Sequence, residues 1–238
     1  MCGQMRFRLT IKGHSGHGSR PDLACNTIDC FHLIYAAWQT LRMTRVRPDT
    51  SLTWSVCSLH AGDSHNVIPD NLTCEGTIRM MDVESGDAFW QAFHSAAVRI
   101  ARECGCTASL ERVMYLLPLE GDDTCQTLFK KAAREVLGQD AVFTAEPWMA
   151  SESFSYLSVM YPSVFSFVGI RNEEKGCGAN HHTPEFDLDE DGMIAGVAAA
   201  VAYARAYLQT TPDTTGFKPL CSNLAELMDL VEKQPQLR

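Results

Sequence analysis

The sequence predicts an α/β protein: a ferredoxin-like β-α-β-β-α-β unit in the first half, then part of an α/β layer. Three observations predict it. Residues 5–12 alternate apolar and polar side chains at period two, as a half-buried strand does. Two later stretches carry apolar residues at helical spacing, with strand-like runs between and after them. Beyond Leu117 helix-like and strand-like segments alternate, which is the pattern of an α/β layer.

After the first strand comes a loop rich in Gly and His, residues 13–20. Asn26 is placed to cap a long helix whose apolar stripe is Ile28, Phe31, Ile34, Tyr35, Trp38 and Leu41. Strands are expected at 51–59 and 72–81, joined through the loop 61–70. Ser85 is the expected cap of a second helix bearing Phe89, Phe93, Ala96, Ala97 and Ile100 on one face, and Gly105 ends it. A last strand covers 108–115. This order is the split βαβ arrangement, a four-stranded antiparallel sheet with both helices on one face and a free edge or face for another subunit. The second half is expected to hold a helix at 124–137, strands at 141–144 and 164–170, a turn at 151–156, and an Ala-rich helix at 190–208. The Pro-, Thr- and Asp-rich chain beyond Thr210 reads as a linker ending in a short docking helix with Leu224, Leu227, Leu230 and Val231.

The 238 residues suffice for one large domain or two small ones. An apolar content of 45% and a charged content of 21% are those of a globular protein. A net charge of −9 and the lack of a basic run argue against a nucleic-acid partner, which needs clustered Lys and Arg. No stretch has the apolar length of a membrane span. No signal peptide is visible at the N-terminus. The ten cysteines are irregularly spaced, with Cys104 and Cys106 flanking a single glycine, and read as thiols of a reducing cytoplasm rather than a disulfide framework.

Six of the eight histidines fall in predicted loops: His14, His17, His60, His65, His181 and His182. The glycines of Gly13-His14-Ser15-Gly16-His17-Gly18 let the backbone approach a ligand, and a histidine there can donate to a developing oxyanion or move a proton. Taken alone, that loop is more simply a tight strand-to-helix turn. In the second cluster, Asn66 precedes a turn and Arg79 sits on the next strand, so an amide and a guanidinium could converge as a carboxylate clamp. A β-turn and a surface Arg is the plainer reading of that pair. The third cluster, Asn180-His181-His182-Thr183-Pro184-Glu185, suggests a metal ligand before a carboxylate-rich helix, but a catalytic zinc needs three protein ligands. Nothing in the chain offers an obvious cluster to complete it. Ser151-Glu152-Ser153-Phe154 could set Glu152 beside such a site, or Ser151 could simply cap a helix.

These clusters, in this order, resemble the M20 metallopeptidases, and within them the amidohydrolase branch that cleaves N-acyl amino acids. The loop with His17 resembles the family's motif at the start of its lid, or dimerisation, domain. Asn66-Val67-Ile68-Pro69 with Gly76-Thr77-Ile78-Arg79 resembles its second signature. Ser151-Glu152-Ser153-Phe154 resembles a Ser-Glu-Asp-Phe element, with Ser153 in place of aspartate, and His182-Thr183-Pro184-Glu185-Phe186 resembles the C-terminal metal-ligand motif.

The resemblance implies a lid at 1–115, the C-terminal part of a zinc-peptidase-like catalytic domain at 116–210, and a linker and tail helix at 211–238. It implies two divalent ions, zinc or manganese, and a homodimer formed through the lid. His17 would reach the partner subunit's site as a catalytic residue. Asn66, Arg79 and Glu152 would bind an N-acyl amino acid or peptide substrate. His182, or His181 in its place, would ligate metal. It also implies a preceding segment carrying the other ligands and the catalytic glutamate, without which the chain is not expected to assemble the dinuclear site. The other reading is a non-catalytic dimerisation or ligand-binding module of the same descent.

Overall fold

The computed structural model describes residues 1–232. The last six, 233–238, which belong to the predicted linker and tail, lie outside the described residues. The chain divides into two compact units: Met1–Leu119 with Trp148–Tyr156 and the segment from Ser222, and Glu120–Pro147 with Leu157–Cys221.

In the first unit the long elements run β1 (Gly3–Lys12), α1 (Thr27–Arg45), β3 (Leu52–Ala61), β5 (Asn71–Met80), α2 (Val83–Glu103) and β6 (Thr107–Leu116). Two short strands, β2 (Gly16–His17) and β4 (Val67–Ile68), sit in the connecting loops. The sheet order is β3-β5-β1-β6, with every neighbouring pair antiparallel, which is the ferredoxin-like topology. β1 buries Met5, Phe7, Leu9 and Ile11 and turns Arg6, Arg8 and Lys12 outward, as its alternation requires.

An aromatic cluster holds the helices to the sheet. Phe7 stands edge-on to Trp38 at 5.6 Å and to Phe93 at 5.2 Å, and Trp38 stacks on Phe93 at 3.7 Å. The indole N–H of Trp38 donates to the carbonyl of Phe93 at 2.8 Å, so this buried polar atom is satisfied. Each fully buried ring contributes about 2–3 kcal/mol from area removed from water. A glycine is required beneath the cluster. A Cβ at Gly76 would lie 2.2 Å from the Ser55 carbonyl oxygen and 2.5 Å from Phe7 Cζ. β3 shifts register opposite this position, between Val56 and Ser58, a bulge at the close approach.

The helix ends follow sequence in part. Asn26 caps α1 by accepting from Ile28 N–H at 3.0 Å. Gly105 closes α2 with φ +70°, donating to Arg102 O while Cys106 donates to Ala101 O. The expected cap Ser85 is not the cap. Asp82 takes that place and its carboxylate accepts from Ser85 N–H at 2.7 Å, since an ionised acceptor also meets the helix dipole. The buried face of α1 is Thr27, Cys30, Ile34 and Trp38, which leaves Ile28 and Tyr35 of the expected stripe exposed. His60, expected in a loop, is the penultimate residue of β3.

The rest of this unit is assembled from distant sequence. Cys2 N–H donates to the carbonyls of Trp148 and Ala150, both at 3.1 Å, and the Cys2 thiol to that of Met149, laying residues 148–150 beside the start of β1. After the one-turn helix α4 (Ser155–Ser158), the chain returns to this unit with α6 (Leu224–Glu232), which buries Leu227 and receives a 3.5 Å bond from Arg112 to Leu230 O.

In the second unit α3 (Asp123–Leu137) packs against α5 (Asp191–Thr210), with Phe129 edge-on to Tyr203 at 5.7 Å. Both helices match expectation. The two expected strands do not form among the described residues. Residues 139–141 make a 3-10 turn, and 164–170 run without a ladder partner, because an extended segment becomes a strand only by pairing. α5 approaches that segment at its glycines: a Cβ at Gly192 would meet Gly169 O at 2.6 Å, and one at Gly196 would meet Val168 at 3.0 Å. Ile194, Val197 and Val201 remain well exposed on α5.

Candidate functional site

The glycine-rich loop is folded back on the second cluster. β2 pairs antiparallel with β4, so His17 lies opposite Val67, and Gly18 N–H donates to Asn66 O at 2.8 Å. Ser15 Oγ adds a bond to Ile68 O, and Gly13 N–H one to Asp70 O. Gly16 admits Ala24, since a Cβ there would lie 2.8 Å from that methyl. His17 and Asn66 are thus presented side by side, both exposed.

Ser19 orients the imidazole. Its backbone N–H donates to His17 Nδ1 at 3.2 Å, and its hydroxyl lies 2.8 Å from the same atom. A backbone N–H can only donate, so Nδ1 is the acceptor and the neutral ring carries its proton on exposed Nε2. That proton is a donor to whatever anion approaches. Ser19 was not singled out by sequence reasoning, although a serine two residues after a loop histidine is a readable signal. Asn66 Oδ1 accepts from Ser64 Oγ at 2.8 Å.

Arg79 lies elsewhere. From Asp70, which closes the His17 loop, to Arg79 is nine positions of extended chain, about 30 Å at strand rise. Within one copy the amide of Asn66 and the guanidinium of Arg79 therefore stand at opposite ends of β5. Arg79 Nη1 donates to Met149 O at 3.1 Å and Ser151 Oγ at 3.4 Å, and Ser151 donates to Gln4 Oε1 at 2.7 Å. A guanidinium has five donors, so two neutral acceptors leave capacity for a carboxylate.

Glu152 follows directly. Its Oε1 accepts from the Ser153 hydroxyl at 2.9 Å and the Ser153 N–H at 2.7 Å, and these two donors hold its carboxyl below the usual range. An aspartate at 153 would set a second negative charge there, whereas the serine supplies a donor. Glu152 is an ionised acceptor at neutral pH.

His181 and His182 lie on the second unit, both exposed, with ring centroids 4.9 Å apart. His182 has φ +65°, which the tight turn into Thr183 imposes. Among the described residues no group of three His, Cys, Asp or Glu could hold a metal ion. The residues present therefore do not by themselves fit a dinuclear centre.

The M20_dimer family, a peptidase dimerisation domain, matches residues 2–103. The IAA-amino acid hydrolase ILR1-like 6 of Arabidopsis thaliana is 32% identical over 213 residues, 87% of this chain and 44% of that protein. The N-acetyl-L-cysteine deacetylase of Bacillus subtilis is 28% identical over 194 residues, 82% of this chain and 45% of that protein.

Residues 2–103 carry the M20 peptidase dimerisation domain. The chain spans about half the length of the curated relatives it matches. Solved structures carry the same fold. An aminohydrolase from methicillin-resistant Staphylococcus aureus superposes with a TM-score of 0.72 at 25% identity, covering 86% of this chain and 52% of that one. A Bacillus subtilis structure described as a dinuclear metal binding peptidase of the M20 family gives 0.67 at 24% identity, covering 88% and 51%. Family and fold class are those the motifs implied. No helix among the described residues is long and apolar enough to cross a membrane.

Proposed function

We propose that this M20 chain carries the substrate-gripping part of a metal-dependent amidohydrolase acting on the amide bond of N-acyl amino acids or small peptides, and that two copies share each site. One observation carries the reading: His17 and Asn66 sit together at one end of β5, with Arg79 about 30 Å away at the other. No single copy can close these groups on one small molecule. A second copy can, with His17 and Asn66 of one meeting Arg79 and Glu152 of the other. β3 supports such pairing, because it is one of the two sheet edges, and α6 packs against the other, β6.

In this site Arg79 binds the substrate carboxylate and Asn66 adds an amide contact. The Nε2–H of His17 donates to the oxygen that becomes negative as the amide carbon turns tetrahedral, a bond stronger in the transition state than in the ground state. Ser19 keeps that proton in place. The domains of this reading are the lid at 1–115, a catalytic portion at 116–210, and the tail from 211.

Two divalent ions, zinc or manganese, belong to the reading, with His182, or His181, as this chain's ligand. The remaining ligands must come from outside the described set, so residues 1–232 alone are expected to bind a carboxylate without turnover. That same lack of a ligand cluster favours the second reading, a non-catalytic binding module. The native protein, loaded with zinc or manganese, should hydrolyse N-acetyl amino acids and retain metal in stoichiometric amount. Mixing His17→Ala with Arg79→Ala protein should restore up to about a quarter of the activity, since one of the two sites in each mixed dimer keeps both groups. Stoichiometric metal with no recovery in mixed dimers would overturn site sharing. Neither metal nor hydrolysis, with dimers intact, would leave the binding module.

A further inference from the structure

Four of the ten cysteines meet at one place. Cys25 precedes α1, Cys30 lies in its first turn, Cys104 caps the end of α2, and Cys106 follows the left-handed Gly105. The Cys30 thiol neighbours those of Cys104 and Cys106. Cys25 Sγ lies over Gly105, 2.9 Å from where a Cβ would stand, and Cys106 Sγ is 3.8 Å from the carbonyl oxygens of both Cys25 and Cys104. The turn after α2 closes onto the start of α1 through sulfur, and glycine at 105 makes the room. The four sulfurs do not form a set that could hold a metal ion.

The cluster also lies under the loop that presents His17. His14 and Cys25 exchange both backbone hydrogen bonds, at 3.1 and 2.9 Å. A Cβ at Gly13 would lie 2.1 Å from Cys25 O and 3.2 Å from Cys106 Sγ. A change in the packing of these sulfurs is thereby felt at both ends of the segment 13–25.

We propose that Cys30 and Cys104 are a reversible thiol–disulfide pair, a modification site that ties the first turn of α1 to the end of α2 beneath the His17 loop. The oxidant is a hydroperoxide. Cys104, half-exposed like Cys25, is a thiol it can reach, whereas Cys30 is fully buried. The Cys104 thiolate attacks the peroxide oxygen, the O–O bond breaks, and a sulfenic acid and an alcohol or water form. The Cys30 sulfur then attacks Cys104 Sγ and the S–O bond breaks. Its thiol proton leaves with the hydroxide as water. Two thiols and one hydroperoxide give one disulfide, one alcohol or water, and one water. Burial and the neighbouring sulfurs push the Cys30 thiol up, so the resolving step is slow at neutral pH and quickens as pH rises. A dithiol reductant restores the pair.

The reduced protein is treated with hydrogen peroxide, then alkylated in denaturant and mapped by mass spectrometry. Reactive thiols should fall by two from the ten in the chain, and recover with dithiothreitol. A cross-linked peptide should join Cys30 to Cys104, vanish in Cys104→Ser and Cys30→Ser, and persist in Cys57→Ser, whose thiol is exposed on β3. If Cys30→Ser fails to fold, Cys104→Ser at the half-exposed helix end still decides. Amide exchange at His14 and Cys25 should slow several-fold in the oxidised protein. All ten thiols still reactive, oxidation confined to single cysteines, or a cross-link surviving Cys104→Ser would overturn the pair. Unchanged exchange at His14 and Cys25 would overturn its coupling to the loop. None of these measurements depends on hydrolysis.

Discussion

Gly76→Ala should be among the most damaging single-methyl changes in the first unit. The added Cβ would lie 2.2 Å from the Ser55 carbonyl oxygen and 2.5 Å from Phe7 Cζ, more than about 1 Å inside van der Waals contact. Neither neighbour yields cheaply. The oxygen belongs to the β3 backbone, and Phe7 is fully buried edge-on to Trp38 and Phe93. Overpacking of this kind costs about 1–3 kcal/mol. The upper end is expected, because relief requires β3 to move off β5 or the aromatic stack to reopen. With a urea slope of about 2 kcal/mol/M, a loss of about 3 kcal/mol lowers the unfolding midpoint by about 1.5 M. Urea titration followed by near-UV circular dichroism reads both the midpoint and the aromatic packing. Thr77→Ala, on the opposite face of β5, is the control and should shift stability by less than about 0.5 kcal/mol. A Gly76→Ala protein within about 0.5 kcal/mol of the parent would refute the argument, and with it the assignment of this glycine to packing rather than to a ligand.

Asp82→Ala removes the acceptor for Ser85 N–H and should cost about 1 kcal/mol, read in the same urea titration; no loss would show that Ser85 can cap in its place. Ser19→Ala removes the hydroxyl but keeps the backbone N–H that donates to His17 Nδ1, so nitrogen-15 imidazole shifts should still report a single tautomer, with the fold intact. A mixture of tautomers in the variant would assign the orientation to the hydroxyl instead. Arg6 and Arg8 both reach the Glu75 carboxylate at 2.8 Å and hold it below its ordinary value of 4.5. A lowered folded value means stability that is present above about pH 4.5 and is lost as pH falls through the folded value. Glu75→Gln should therefore flatten the acid limb of the stability curve, and an unchanged limb would count against the linkage.

Periodicity made the long elements of the first unit legible, because burial on one face of a strand or helix is a local property written at spacings of two or 3.6. The alternation of β1, the cap at Asn26 and the stop at Gly105 are of this kind. So were the motifs around His17, Arg79 and His182, each a contiguous run. Reading failed where a neighbour distant in sequence decides. Residues 164–170 have strand composition, yet no described strand pairs with them. Ser85 and Asp82 are both able caps, and only the helix start selects between them.

The sequence by itself determined which residues alternate, where the chain turns and which family its motifs resemble, since those depend on neighbours within a few positions. Only the tertiary structure decided the rest. It set Asn66 and Arg79 at opposite ends of one strand, because extended chain advances about 3.4 Å per residue and cannot fold back within β5. It laid Met149 and Ser151 against Arg79 and made Cys30 and Cys104 neighbours across 74 positions. Such contacts form wherever antiparallel pairing and helix packing carry distant segments, and residue spacing holds no record of them.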